Sequence, residues 1–163
     1  MSRSLSRTRL LVVAAVVAGV AAAVVAVAGA SGTARAAHVV RLAKNARLGT
    51  SVLVNRKGLT LYSLSAETHG RFICTGACLS LWTPLVVARG ARPVGASALA
   101  TIRRPDGRTQ VTYRGLPLYT FDEDRKPGDA KGNGFKDVGT WRVAATGKAK
   151  AAAPTPSRGY PGY

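Results

Sequence analysis

A chain of 163 residues has room for one domain of ordinary size with terminal segments, and not for two. Its formal charge of +17 favours polyanionic surroundings: anionic lipid head groups, acidic cell-envelope polymers or nucleic acid. The first 36 residues hold four arginines and no acid, so a product starting at Ala37 still carries 20 − 7 = +13, and the basic character belongs to the rest of the chain.

Three arginines among serines, Arg3, Arg7 and Arg9, precede Leu10–Ala30, a stretch without a single charge. At about 1.5 Å per residue an N-terminal hydrophobic helix here can cross a hydrocarbon core of about 30 Å. It is followed by Ala34-Arg35-Ala36, a small-x-small site where a signal peptidase could cut, so residues 1–36 read as a signal peptide or a membrane anchor. The arginines keep Met1 cytoplasmic and send the remainder across the membrane in either case. No cysteine stands near the end of the run to accept a lipid.

Residues 37–47 are basic and loosely periodic, a spacer or a first edge strand. From Thr50 the texture alternates: Val52 and Val54, an Asn55–Gly58 turn, then Leu59, Leu61 and Tyr62, which together predict a β-hairpin. Cys74–Trp82 has the spacing of one or two helical turns, limited by Pro84. Leu85-Val86-Val87 follows as a short strand, and Arg89–Ala98 reads as a joining loop. A strand at Leu99–Arg104, a Pro105-Asp106-Gly107 turn and a second hairpin, Val111–Tyr113 and Leu116–Phe121, complete the pattern. Pro117 cannot donate to a sheet ladder, which predicts an edge position or an outward-turned donor. Residues 146–163 lose periodicity and read as a disordered tail.

The hairpins are copies of one unit. Placing Tyr62 on Tyr119, an offset of 57 residues, also places Gly58 on Gly115, Leu59 on Leu116 and Leu61 on Leu118, with Trp82 and Trp141 following at similar distances. We therefore expect a mainly β fold: a small antiparallel β domain over residues 48–145, built from two pseudo-repeats of β-hairpins (about 51–87 and 99–143) with a short helical turn, in which Tyr62, Tyr119, Trp82 and Trp141 build two pseudo-equivalent cores.

Tyr119-Thr120-Phe121-Asp122-Glu123-Asp124 places an aromatic two residues after a tyrosine and an acid five after it. In a strand Tyr119 and Phe121 share one face, and Asp124 falls where a carboxylate can accept backbone N–H groups and hold a loop. The alternative is a binding edge made by the hydroxyl and the acid. Cys74 and Cys78, outside the cytoplasm, are most simply a disulfide, with Gly76 supplying the distortion that a regular helix would not allow. The rival is a redox or metal-binding dithiol, for which neither a CxxC nor a CxxCH pattern is present.

Asp122, Glu123, Asp124, Asp129 and Asp137 crowd one loop, but Lys126 and Pro127 break a calcium-binding reading from Asp122, and interleaved bases make a solvated, internally paired loop the simpler account. His38 and His69 lack a nucleophile in any recognisable elbow, which argues against an enzyme. Nothing marks a cofactor or metal site, and nucleic acid is not expected as a partner, since only charge speaks for it, no recognition signature accompanies that charge, and an exported domain rarely meets such a ligand. The expected partners are anionic envelope polymers or a lipid surface, bound weakly through distributed bases such as Arg41, Arg56, Lys57, Arg103 and Arg104.

The motif resembles the bacterial secreted or lipoprotein repeat family named for Yx(FWY)xxD, whose biochemical function is not established. Tyr119, Phe121 and Asp124 occupy its positions in the second copy, and the loop leads on to Trp141. In the first copy Leu64 replaces the aromatic and Glu67 the aspartate, while Cys74, Cys78 and Trp82 remain in register. The resemblance implies an exported envelope protein and points to Tyr62, Glu67, Trp82, Tyr119, Phe121, Asp124 and Trp141 as its characteristic residues.

Overall fold

The computed structural model describes residues 35–68 and 70–148. The expected N-terminal helix, His69 and most of the expected tail lie outside the described residues. The fold is mainly β. Its strands are β1 Ala36–His38, β2 Arg41–Asn45, β3 Thr50–Val54, β4 Tyr62–Leu64, β5 Trp82–Pro84, β6 Val86–Val87, β7 Arg92–Val94, β8 Leu99–Arg103, β9 Thr109–Tyr113, β10 Leu116–Pro117, β11 Tyr119–Phe121 and β12 Trp141–Val143. One 3-10 turn, Gly76–Ser80, stands where the helical spacing was expected. Among the described residues no helix is long and apolar enough to cross a membrane.

The central sheet runs β12-β4-β11-β5, all antiparallel. Its register explains how the copies fit together. Tyr62 faces Tyr119, so β4 and β11, the same strand in the two copies, pair with each other about a local two-fold. Each then takes its outer neighbour from the other copy: Trp141, Arg142 and Val143 pair with Leu64, Ser63 and Tyr62, while Trp82, Thr83 and Pro84 pair with Phe121, Thr120 and Tyr119. Strand β5 thus never pairs with β4, its own predecessor.

The hairpins repeat the exchange. Leu61 N–H donates to Leu53, Leu53 N–H to Ala144, and Ala144 N–H back to Leu61. The matching ring runs Leu118 to Val111, Val111 to Leu85 and Leu85 to Leu118. In each ring two residues come from one copy and one from the other. A two-residue turn at Arg114-Gly115 closes the second hairpin, both with positive φ, as that turn type requires.

Two departures from the sequence pattern follow from the packing. Leu116–Phe121 is not one strand: β10 lies at the edge of the sheet containing β9, while β11 belongs to the central sheet. Pro117, buried at that edge and paired with Thr112, is the last residue of β10, consistent with its missing donor, and the chain leaves one sheet for the other at Leu118. The stretch 37–47 carries β2, which pairs with β3 along five residues, and the last residues of β1, which runs parallel to β7 from the expected joining loop.

Candidate functional site

Tyr62 and Tyr119 are fully buried at the centre of the sheet, and each phenol needs an acceptor there. Each finds it in the other copy. Tyr62 donates to Asp124 Oδ2 at 2.5 Å and Tyr119 donates to Glu67 Oε2 at 2.8 Å. The remaining oxygens hold the loops that follow the two motifs. Glu67 Oε1 accepts the N–H groups of Ile73 and Cys74, both at 2.8 Å, and Asp124 Oδ1 accepts the N–H of Lys131 at 3.0 Å. Cys74 and Lys131 stand equally far beyond their acids, so the two loops are braced in the same way. The carboxylates are 1% and 3% exposed.

Burial pushes the phenols of both tyrosines above their ordinary value, and the facing carboxylates, Asp124 for Tyr62 and Glu67 for Tyr119, push in the same direction. Burial likewise raises the Asp124 carboxyl against the lowering effect of its hydrogen bonds from Tyr62 and Lys131. Both phenols are held neutral at physiological pH, as donors rather than nucleophiles.

A third buried group completes the first loop. Arg104 follows β8 and is 2% exposed. Its guanidinium donates to Gln110 Oε1 at 2.6 Å, Tyr119 Oη at 3.0 Å, the Cys74 carbonyl at 2.9 Å and Asp106 at 3.1 Å, and lies over the Phe72 ring at 4.7 Å. Asn45 holds the equivalent place at the end of β2 and donates across to the Gly128 carbonyl in the acidic loop. Arg104 was expected among the exposed bases. Its net of acceptors takes it out of the surface, because a guanidinium can be buried when its N–H groups are matched. The clue in sequence was slight: Gln110, a long polar side chain at an inward position of an alternating strand.

Cys74 and Cys78 are disulfide-bonded, Cα atoms 5.2 Å apart, and both are buried. Gly76, at φ +53, lets the short loop close. The bridge packs in the same core as Tyr62, Tyr119, Phe121, Trp82 and Trp141, so the four aromatics expected to divide between two pseudo-equivalent cores share one cluster, and a second cluster gathers Leu53, Leu61, Val111 and Leu118 from both hairpins. The tryptophans unite the aromatic cluster by stacking face to face. Leu64 occupies the place of Phe121 and pairs with Trp141 as Phe121 pairs with Trp82. Gly132 lies so close that a methyl group there would meet the Trp82 ring at 2.6 Å.

The acids of the long loop point in several directions. Asp124 and Asp129 are buried, the latter accepting the N–H groups of Arg125 and Lys126, which lower its pKa. Asp122 pairs with Arg125, and Asp137 accepts the Trp141 indole N–H at 3.1 Å. Among the described residues no three His, Cys, Asp or Glu side chains converge as a metal site.

A paired strand exchange, two crossed tyrosine and acid contacts and a braced loop after each acid define a repeat unit that is complete only when doubled. Residues 100–145 match the family model of a secreted repeat of unknown function. The matched secreted repeat spans most of β8 through β12 and includes Tyr119, Phe121, Asp124 and Trp141. It is the family that the Yx(FWY)xxD pattern resembles. The first copy, outside the matched span, supplies Glu67, Leu64 and Trp82 to that repeat's own contacts. No curated protein and no solved structure matches the chain.

Proposed function

We propose that this chain is an exported cell-envelope module without catalytic activity, whose motif residues hold the fold and whose exposed bases attach it weakly to anionic envelope polymers or lipid. The observation that carries this reading is the internal use of every reactive group in the motif. Tyr62, Tyr119, Glu67 and Asp124 are buried against one another, and both sulfurs are buried in the bridge. A nucleophile, acid or dithiol must reach its substrate. The family match to a secreted repeat supports export, with residues 1–36 as the exporting segment and residues 10–30 as an anchor to the membrane where they are kept.

The alternative is an envelope redox or metal-binding protein using Cys74 and Cys78. Thiol titration of the exported protein separates the two: a bridge that resists mild reductant until the fold is denatured supports the structural role, while a readily cycling pair or stoichiometric bound metal overturns it. Fractionation of cells into membrane, envelope and medium shows whether residues 10–30 stay attached.

A further inference from the structure

Exposed bases stand on many of the described segments. Four come from three separate segments that meet at the first hairpin turn: Arg41 at the start of β2, Arg56 and Lys57 in the turn, and Lys126 before Pro127. The meeting point is Gly58. A methyl group there would lie 2.9 Å from Pro127 Cγ and 3.1 Å from Arg41 Nη2, so the Arg41 guanidinium and the Pro127 ring lie side by side on the turn. Arg56 donates from Nε to the His38 carbonyl at 2.9 Å, which ties its guanidinium to the segment leading into Arg41. All four are exposed.

The acidic loop that brings Lys126 here offsets the cluster only in part, through Asp129, whose carboxyl the Lys126 charge helps to lower. Asp124 and Asp129 are turned inward, and Asp122 is engaged by Arg125. The repeat supplies an internal comparison. At the second hairpin turn the positions of Arg41 and Pro127 are held by Ala100 and Gly70, a methyl group at Gly115 would meet nothing, and the Arg114 guanidinium lies over the Tyr113 ring. The cluster is therefore a property of one turn and not of the repeated scaffold.

From this we infer that the Arg41, Arg56, Lys57 and Lys126 face is a docking site for a polymer carrying repeated phosphate groups. It rests on the polyanion reading above and narrows it to one surface and one ligand chemistry. Guanidinium and ammonium groups carried by segments that meet at one turn suit successive phosphates, Arg by paired N–H donors and Lys as a point charge. A soluble polymer fits better than a bilayer. The exposed large apolar side chains among the described residues are Leu42, Val86 and Val138, with no aromatic ring to seat in an interface.

The test uses the full chain with sodium polyphosphate of defined length as the probe, and vesicles with and without phosphatidylglycerol in parallel. The variant Arg41→Gln/Lys57→Gln/Lys126→Gln is compared with the charge-matched control Arg103→Gln/Lys136→Gln/Arg142→Gln, thermal melts confirming that both fold. The expected result is a loss of about tenfold or more in polyphosphate affinity for the first and about twofold or less for the second, with a shallower salt dependence for the first. Equal losses overturn the localised site and leave the distributed-charge reading standing. Binding to phosphatidylglycerol vesicles but not to polyphosphate overturns the polymer. Binding to neither at low salt overturns the polyanion reading itself.

Discussion

Trp82 and Trp141 lie face to face, ring centroids 3.7 Å apart and planes 6° from parallel. They are the same residue of the two copies, brought together because each ends up beside the other copy's strand: Trp82 opposite Phe121 and Trp141 opposite Leu64. The pair is not fully equivalent. Trp141 donates its indole N–H to Asp137, whereas the buried Trp82 N–H has no protein acceptor among the described residues. Trp141→Ala should therefore remove both a stacked ring and a hydrogen bond, destabilising the fold by about 3–5 kcal/mol. Gly132→Ala, which forces a methyl group against Trp82, should cost about 1–3 kcal/mol by overpacking. Denaturant melts read both, and losses below about 1 kcal/mol in each would mean that the stacked core does not carry the fold.

The crossed contacts predict a pattern of energetic coupling. In double-mutant cycles Tyr119→Phe with Glu67→Gln, and Tyr62→Phe with Asp124→Asn, should each show interaction energies of about 0.5–3 kcal/mol. The pairs within one copy, Tyr119 with Asp124 and Tyr62 with Glu67, should couple more weakly. Equal coupling for all four pairs would contradict the exchange. Each single Tyr→Phe change leaves a buried carboxylate oxygen without its donor, so it should cost about 1–3 kcal/mol on its own.

Removal of Arg104 should separate stability from surface charge. Arg104→Met leaves Gln110 Oε1, the Cys74 carbonyl and the Tyr119 hydroxyl short of a donor, so a loss of about 3–5 kcal/mol is expected. Adhesion to polyanions, measured on the fraction that remains folded, should not change. A fall in affinity as large as that of the Arg41, Lys57 and Lys126 variant would show that Arg104 reaches the surface.

Alkali should open the fold through the tyrosines. The folded pKa values of Tyr62 and Tyr119 are raised above the ordinary value of 10.0. Their contribution to stability is therefore fully present below about pH 10, and it is lost as pH rises from there through the folded values. Absorbance of phenolate followed together with circular dichroism should show these two tyrosines ionising only as structure is lost, and Tyr62→Phe/Tyr119→Phe should weaken that coupling. On the acid side Asp129 has a lowered pKa and works in the opposite sense, its stabilisation fading as pH falls below the usual carboxylate range. Asp124, with a raised value, favours the fold toward acid and partly offsets that loss.

By itself the sequence determined the mainly β class, the doubled unit, the hairpin turns at Asn55–Gly58 and Arg114-Gly115 and the motif residues. Alternation, turn chemistry and a fixed offset are local properties, written in neighbouring residues. It also placed Tyr119 and Phe121 on one buried face, since strand geometry dictates which side chains point together. The tertiary structure alone decided which copy each residue serves. An offset of 57 residues describes two units standing apart as well as it describes two units exchanging strands, because register between distant strands depends on how buried side chains of both copies fill one space. Hence the aromatics of both copies share one cluster while Leu53, Leu61, Val111 and Leu118 build another, the phenols crossed to the opposite acids, and the strand at Leu116–Phe121 divided between sheets at Leu118. Arg104 shows the same limit for charge. A base among many reads as surface until its matched acceptors, Gln110, Tyr119 and the Cys74 carbonyl, converge on it from separate segments of the chain.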